Sequence, residues 1–195
     1  MTHIEKIKNL IIEHNGIVTS AMLTKNNIPR LYLKKLTDSG ELLCVCRGIY
    51  VSPDAWEDEM FILQAKFPKG IFSHETALYI HGLTDRTPMK YAMTFPYGYH
   101  TSSIKAKNIS EKHAIDELYN LGITKAKSPC NNDIRLYNAE KTLCDIVKYG
   151  CDIQIVNDAM KRYAKSKSKN IKLLYEYADI LRVKNKISNY MEVLL

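Results

Sequence analysis

The order of short elements in the first fifty residues constrains the fold of this 195-residue chain more than any other feature. Apolar residues recur at helical spacing from Ile4 to Ile11, and residues 14–16 (His-Asn-Gly) then supply a helix stop. After a brief extended step, Thr19 or Ser20 offers an N-cap for a second short helix that runs to Asn26. The segment therefore predicts two short helices joined by one short extended step.

A third helix and a hairpin follow in the next 25 residues. Pro29 ends the preceding segment and allows a new helix to begin, because proline is tolerated in the first turn of a helix. The third helix then spans residues 30–39. Two β-prone runs, residues 42–45 and 49–51, flank residues 46–48 (Cys-Arg-Gly) as the tip of a wing. This order of elements predicts a winged helix–turn–helix, whose third helix fits the major groove of DNA.

The predicted third helix has an apolar side and a basic side. At about 100° per residue, Leu33 and Leu36 fall together toward the core, whereas the lysines fall on the opposite side. Basic side chains neutralise phosphates or reach guanine, an exposed leucine can touch a thymine methyl group, and a helix N-terminus can hold a phosphate. The predicted DNA contacts are Thr19, Ser20, Arg30, Leu31, Lys34, Lys35 and Arg47.

The charge of this module is modest. Residues 1–52 hold seven Lys or Arg against four Asp or Glu, a local net charge of +3, within a chain of net charge +7. Such a charge is too small for tight non-specific binding by one protomer, so a pair of half-sites or help from the rest of the chain is expected. Winged helices also bind proteins, and an adaptor that docks a protein partner instead of DNA is the alternative hypothesis.

The sequence favours a protein without a membrane segment or a metal centre. The start lacks the apolar core of a signal peptide, and no run approaches the roughly 18 apolar residues of a membrane span, so we expect a cytoplasmic protein. The cysteines are five in number and lie at no zinc-type spacing, which favours reduced, partly buried thiols. No cofactor is expected. The cysteines are Cys44, Cys46, Cys130, Cys144 and Cys151.

The predicted organisation is a module at residues 1–52, a linking helix at 53–69 and a second domain at 70–195. The second domain opens with a helix from residue 73 that stops at 81–82, and it contains two strands, at 89–95 and 134–137. It ends in four helices, at residues 139–147, 153–164, 171–181 and 187–195. The fold class is therefore mainly α with small β content (α+β), a winged helix–turn–helix followed by a mixed, mostly helical domain.

One stretch of the second domain is strongly basic. Six cations fall within twelve residues that contain no acid, close to predicted helix ends. This density predicts a basic surface for RNA, DNA or an acidic partner. The six residues are Lys161, Arg162, Lys165, Lys167, Lys169 and Lys172.

The motifs do not favour an enzyme. The chain has no phosphate-cradling glycine loop, no Gly-x-Ser-x-Gly elbow and no nucleotidyltransferase motif. His74, His81 and Asp85 can in principle bind a metal, which leaves a metal-dependent nuclease as a third hypothesis, although histidines that are satisfied near helix ends are more common. We expect Asp145 to pair with a nearby base or to cap a backbone group, and not to take part in chemistry.

Several motifs together resemble one known family. They comprise Leu-Lys-Lys-Leu at 33–36, Gly-Glu-Leu at 40–42, Arg-Gly-Ile-Tyr-Val at 47–51, Ser-His-Glu-Thr-Ala-Leu-Tyr at 73–79, His-Gly-Leu at 81–83 and Glu-Lys-Thr-Leu-Cys-Asp at 140–145. In this order and spacing they resemble the AbiEi-type antitoxins, and the resemblance covers essentially the whole chain.

This resemblance implies a protein with two activities. One is repression of its own operon, by binding inverted repeats in the promoter through the winged helix. The other is neutralisation of a co-encoded nucleotidyltransferase toxin by the C-terminal domain, in a type IV phage abortive-infection system in which antitoxin and toxin need not bind stably. The resemblance makes Arg30, Lys34, Lys35 and Arg47 the leading DNA contacts, and charge alone makes residues 161–172 a candidate antitoxin or auxiliary DNA surface.

Overall fold

The computed structural model describes residues 2–100 and 108–194, so Met1, residues 101–107 and Leu195, which fall in the predicted domains, lie outside the described residues. The chain divides into two compact units. The N-terminal unit comprises Met1–Pro68 with Lys127–Ile134, and the C-terminal unit comprises Lys69–Ala126 with Arg135–Leu195.

The N-terminal unit has the predicted order of helices and strands. Its elements are α1 (His3–Glu13), β1 (Ile17–Thr19), α2 (Ser20–Lys25), α3 (Leu31–Asp38), β2 (Leu43–Cys46), β3 (Ile49–Val51) and α4 (Glu59–Lys66). The strands form an antiparallel sheet in the order β1-β3-β2. Three helices with a β2–β3 wing form the winged helix–turn–helix that the sequence predicts.

Local signals begin the helices, and one apolar core holds them together. A capping box between Thr2 and Glu5 begins α1, and the Thr19 hydroxyl accepts the Met22 N–H to begin α2. The apolar sides of all three helices then bury in one cluster, which fixes the outward side of α3. That cluster comprises Ile7, Val18, Leu23, Ile28, Leu33, Leu36 and Leu42.

The structure corrects the predicted boundary at residue 52. The helix expected to link two domains is α4, which packs its Phe61 and Ile62 side chains against the sheet residues Ile49 and Val51. This packing buries the apolar face of α4 against the wing sheet and excludes water from both. Helix α4 therefore belongs to the N-terminal unit, which continues to Pro68.

Residues 127–134 also belong to this unit, which the sequence analysis did not foresee. The buried carboxylate of Asp58 accepts hydrogen bonds from the Ser128 hydroxyl and, at 2.9 Å, from the Asn132 amide. It also accepts the Phe61 N–H at 3.0 Å as the N-cap of α4. A buried carboxylate requires such donors, and here they come from a segment 70 residues further along the chain.

The C-terminal unit combines a mixed sheet with a helical layer. Its elements are β4 (Ile71–Phe72), α5 (His74–Ile80), β5 (Tyr91–Pro96), β6 (Ile109–Ala114), α6 (Asp116–Asn120), β7 (Ile123–Lys127), β8 (Asp133–Tyr137), α7 (Ala139–Tyr149), α8 (Ile153–Lys165), α9 (Ile171–Ile180) and α10 (Lys184–Leu194). The sheet order is β6-β5-β4-β8-β7. Strand β4 pairs antiparallel with β5 and parallel with β8, and β5 pairs parallel with β6.

The α+β class is confirmed, and the sheet is larger than predicted. The four C-terminal helices and the strands β5 and β8 occur where the sequence indicates. The sequence analysis missed β4, which has two residues, and the edge strands β6 and β7, whose sequences are largely polar. Within the described ranges, no helix is long and apolar enough to cross a membrane.

Candidate nucleic-acid interface

Helix α3 presents its basic side to solvent. Leu33 and Leu36 are buried, whereas Lys34 and Lys35 are exposed and Leu31 is 54% exposed. The Lys35 ammonium lies 5.4 Å from the centroid of the Tyr32 ring, which restrains the long side chain. The helical spacing of two buried leucines therefore places the predicted contacts of α3 together on one outward surface.

Arg30 is held in place at the start of α3. Its Nη2 and Nε atoms donate to the Thr24 hydroxyl oxygen at 2.8 and 3.1 Å, and that hydroxyl donates to the Ser20 carbonyl at 3.0 Å. A guanidinium has five N–H donors, so three remain for a phosphate or a guanine edge. Arg30 is thus an exposed cation whose position is set by α2.

The wing tip lies beside the N-terminus of α2. Arg47 is exposed in the turn between β2 and β3, and the next residue, Gly48, has a φ of +81° that favours glycine. The Ser20 N–H donates to the Gly48 carbonyl at 2.8 Å. This bond connects the wing to α2 and brings Ser20 next to the residue that follows Arg47.

Thr19 does not fit the DNA-contact role predicted for it. It is only 6% exposed, and its hydroxyl accepts the Met22 N–H at 3.2 Å. The side chain is used as a helix cap and lies below the surface, so we remove it from the candidate set. The six remaining residues, which we call the α3–wing surface, are Ser20, Arg30, Leu31, Lys34, Lys35 and Arg47.

The cysteines form no disulfide among the described residues, and their environments differ. Cys44 is exposed, contrary to the expectation of partial burial, and the pairing of β2 with β3 shifts its register between Cys44 and Cys46. Burial raises the pKa of the Cys144 thiol to about 12 and that of Cys151 to about 11. The latter two thiols are therefore protonated at neutral pH and unreactive.

Two cations of the basic run of the C-terminal unit are engaged within that unit, one by an acid and one by a backbone carbonyl. The Arg162 guanidinium binds both carboxylate oxygens of Asp85 and holds the pKa of that carboxyl below its usual range. Lys169 donates to the Ala164 carbonyl at 2.7 Å, near the end of α8. The four remaining cations, which we call the lysine patch, are exposed. They are Lys161, Lys165, Lys167 and Lys172.

The loop that carries the lysine patch is fixed to α7. Buried Glu140 accepts a hydrogen bond from the Tyr163 hydroxyl at 2.8 Å, and the Asn170 N–H donates to that hydroxyl at 2.9 Å and to Glu140 at 3.3 Å. Burial raises the pKa of Tyr163, so the phenol remains a donor at neutral pH. The lysine patch therefore lies on the end of α8, the ordered turn that follows it and the start of α9.

The proposed metal trio does not assemble. His74 Nδ1 lies 3.1 Å from the Ser73 hydroxyl, His81 Nε2 lies 2.8 Å from the Tyr137 carbonyl, and Asp85 binds Arg162. In the part of the chain that the structure describes, no three His, Cys, Asp or Glu residues are grouped to hold a metal ion. The nuclease hypothesis built on these residues is therefore abandoned.

Asp145 pairs with a base, as the sequence analysis predicts. Both of its carboxylate oxygens accept from the Lys141 ammonium, at 2.6 and 2.7 Å, and both side chains are buried. The ammonium also lies 4.6 Å from the centroid of the Tyr137 ring.

The N-terminal unit is a module of the winged helix–turn–helix class. Residues 5–53 match the family model described as "Transcriptional regulator, AbiEi antitoxin". This match confirms the resemblance to AbiEi-type antitoxins over that segment and supports a DNA-binding regulator of the antitoxin class. The family description is that of a regulator and names no enzymatic activity.

The fold has a likeness among solved structures. The crystal structure of the RV2827C protein from Mycobacterium tuberculosis is similar with a TM-score of 0.51 and 12% sequence identity, over 100% of this chain and 81% of that chain. At this identity the likeness shows the fold alone. No curated protein matches the sequence.

Proposed function

We propose that this protein represses transcription of its own operon in the cytoplasm by binding inverted repeats in the promoter through the α3–wing surface. One observation carries the proposal. Lys34, Lys35 and Arg47 are exposed on a winged helix whose sequence matches a family of transcriptional regulators. In this arrangement α3 enters the major groove, and Arg47 reaches the backbone or the adjacent minor groove.

Two protomers on two half-sites follow from the charge of the module. With a local net charge of +3, each protomer neutralises few phosphates, and the affinity of one module for non-specific DNA is low at physiological salt. Two modules on an inverted repeat double the number of contacts. Cooperative binding of this kind needs no dimer in solution.

We further propose that the C-terminal unit neutralises a co-encoded nucleotidyltransferase toxin in a phage-defence system. Support comes from the word antitoxin in the description of the matched family and from a second unit with its own apolar core. The lysine patch is the candidate surface for this activity, and RNA, DNA or an acidic protein face is its fitting partner.

A gel-shift titration tests the DNA-binding proposal. The full-length protein is titrated against its own upstream promoter and a scrambled duplex, at about 50 and about 200 mM salt. The proposal requires tighter binding to the promoter, with an affinity that falls steeply with salt. Equal affinity for both duplexes would contradict it.

A separation-of-function variant tests the division of labour. The triple change Lys34→Ala, Lys35→Ala and Arg47→Ala should abolish repression of a promoter reporter while cells that express the toxin remain rescued. Deletion of residues 1–52 is less suitable, because α4 would then lose Ile49 and Val51, the sheet residues on which it packs. A folded triple variant that fails to rescue growth would contradict the assignment of neutralisation to the C-terminal unit.

A protein adaptor is the second candidate function. Trp56 is 87% exposed and Ile12 is 75% exposed, and both line a cleft of about 730 Å³ within the N-terminal unit. Exposed apolar side chains beside a cleft are typical of a surface that binds protein. The adaptor function would be favoured if the gel shift showed no preference for the promoter over the scrambled duplex. It would also require that the triple variant retains an interaction with a protein partner that does not weaken with salt.

A further inference from the structure

The C-terminal unit contains a cavity that neither DNA binding nor the lysine patch uses. Its volume is about 220 Å³, smaller than a typical drug-sized pocket. It lies where α5, α7 and β6 meet. Its lining includes residues of two sequence motifs, at 73–79 and 140–145, whose role the winged helix does not explain. The lining residues that matter below are His74, Thr94, Lys112, Lys141, Asp145 and Tyr149.

His74 lines this cavity and carries a buried polar atom. The side chain is 4% exposed, and its Nε2 atom has no hydrogen-bond partner among the described residues. Burial lowers the pKa of His74, so the ring is neutral at neutral pH. A buried polar atom without a partner is costly in a native structure and points to a role.

A hydrogen-bond chain reaches this ring through Ser73. The Thr94 hydroxyl donates to the Ser73 hydroxyl oxygen at 2.9 Å, and that oxygen lies 3.1 Å from His74 Nδ1. Because Ser73 accepts from Thr94, its own proton is available for Nδ1. When Ser73 donates this proton to Nδ1, the proton of the neutral ring resides on Nε2, and this is the tautomer that oxyanion binding requires. In that tautomer Nε2 is an N–H donor without a partner among the described residues.

The backbone at His74 is strained. Its φ is +47°, in the left-handed region that side chains rarely adopt, at the first residue of α5. Strain of this kind concentrates at sites where a side chain must be held in a particular direction. Here the strained residue is the one with the unpaired donor.

The charges around the cavity favour an anion. Lys141 and Asp145 neutralise each other, whereas Lys112 is exposed at the rim and is bound to no acid among the described residues. These three lining groups carry one net positive charge, whereas Glu75, whose charge also acts on His74, does not line the cavity. The Tyr149 ring adds an apolar wall.

We propose that this cavity binds a small oxyanion, a phosphate or a carboxylate group, through the His74 Nε2–H and the Lys112 ammonium. The N–H fixes the position of one oxygen inside the cavity, and the ammonium neutralises the charge at the rim. Because this site lies outside the winged helix, a failure to bind oxyanions would leave the promoter-binding proposal unaffected.

The test follows the imidazole resonances of the full-length protein by NMR, at constant pH and ionic strength. Inorganic phosphate and acetate are titrated in separate arms, with chloride as the reference anion. We expect a saturable shift of the His74 resonances with at least one of the two oxyanions, and the arm that responds identifies phosphate or carboxylate as the preferred group. No saturable shift in either arm would overturn the proposal.

Paired variants identify the two groups that bind the oxyanion. Lys112→Ala should raise the dissociation constant about tenfold, whereas Lys125→Ala, an exposed lysine on β7 outside the cavity, should leave it unchanged. Equal affinities of the Lys112→Ala variant and the wild type would overturn the role of the ammonium.

His74→Asn tests the donor itself. Asparagine tolerates a positive φ, and its amide oxygen can accept the Ser73 proton in place of Nδ1, but no atom replaces Nε2. We expect the oxyanion to raise the melting temperature of the wild type and not that of this variant. Equal stabilisation of both proteins would show that Nε2 binds nothing. If this variant does not fold, the Lys112→Ala and Lys125→Ala pair still decides the proposal.

Discussion

The α3–wing surface and the basic run of the C-terminal unit look alike in charge and differ in structure. Lys34, Lys35 and Arg47 are exposed and form no ion pair with any described residue. In the basic run, by contrast, Arg162 binds Asp85 and Lys169 binds a helix carbonyl. The run with the higher density of cations in sequence therefore has one cation neutralised by an acid and a second restrained by the backbone. The charge that remains available depends on which groups the fold brings close.

A second comparison, between a buried and an exposed ion pair of the C-terminal unit, shows how burial changes the effect of losing a partner. Lys141 and Asp145 are buried, so the loss of one partner leaves a charge without solvent or a counter-ion. Arg162 and Asp85 are exposed, so water replaces either partner at little cost. Each prediction below sets one region against the other.

The largest effect is expected at the buried ion pair. Asp145→Ala should lower the free energy of unfolding by about 3–5 kcal/mol, because the Lys141 ammonium stays buried without its partner. Asp85→Ala, at the surface, should lower it far less, because water solvates the Arg162 guanidinium that is left. Urea unfolding of both variants measures the difference. Similar losses in the two variants would show that burial does not distinguish the pairs.

Removal of cations should separate the two basic regions by their effect on DNA. The triple change Lys34→Ala, Lys35→Ala and Arg47→Ala should weaken promoter binding about a hundredfold and reduce the salt slope by about three. Replacement of the four lysines of the lysine patch by alanine should weaken it only a few-fold. Fluorescence anisotropy with labelled promoter provides both numbers.

A charge-matched control completes that experiment. Lys90→Ala, Lys125→Ala and Lys148→Ala together remove three exposed lysines outside both regions, and promoter affinity should stay close to that of the wild type. A loss as large as that of the α3–wing triple would mean that net charge, and not this surface, determines binding.

Alanine substitutions at Thr19 and Ser20 should distinguish a role in helix capping from a role in DNA contact. Thr19→Ala should lower the free energy of unfolding by about 1 kcal/mol, because the N-cap of α2 is lost, and should leave promoter affinity unchanged. Ser20→Ala should weaken promoter binding a few-fold with little change in stability. Thermal unfolding and anisotropy on the same samples test both. Reduced affinity of a fully folded Thr19→Ala variant would restore Thr19 to the interface.

The smallest expected effect is the pH dependence from His74. An unfolded histidine titrates at about pH 6.5, and burial lowers the pKa of His74 in the folded protein. As the pH falls, the unfolded state takes up the proton first. This contribution to the free energy of unfolding is therefore complete above about pH 6.5 and is lost on acidification through the folded-state pKa.

The charges around His74 modulate that titration. Asp145 and Glu75 favour the protonated ring, whereas Lys112 and Lys141 oppose it, and desolvation outweighs them. Since the chain has six histidines, the signal is the difference between the wild type and His74→Asn in urea unfolding at about pH 7.5 and about pH 5.5. A wild type that loses no more stability than the variant would contradict the lowered pKa.

Much of the N-terminal unit follows from local sequence patterns. The spacing of Leu33 and Leu36 predicts which side of α3 faces solvent, and residues 46–48 predict the wing tip. These signals act within a few residues. In the same way, the i,i+4 spacing of Lys141 and Asp145 makes their pairing accessible from the sequence.

The features that the sequence analysis missed depend on distant parts of the chain. Asp85 meets Arg162 across 77 residues, and Asp58 binds the segment 127–134 across 70 or more. Local patterns carry no information about such partners. The environment of His74 likewise depends on a hydrogen-bond chain that runs through Ser73 to Thr94 on another element. Long-range contacts therefore decide which of the predicted site residues remain available.

The most direct test of the central claim is a DNase footprint of the full-length protein on its own promoter. The account predicts two protected half-sites related by inverted symmetry, protected at the same protein concentration, and no protection by the Lys34→Ala, Lys35→Ala, Arg47→Ala variant. Uniform protection along the duplex, or the same footprint from wild type and variant, would contradict it.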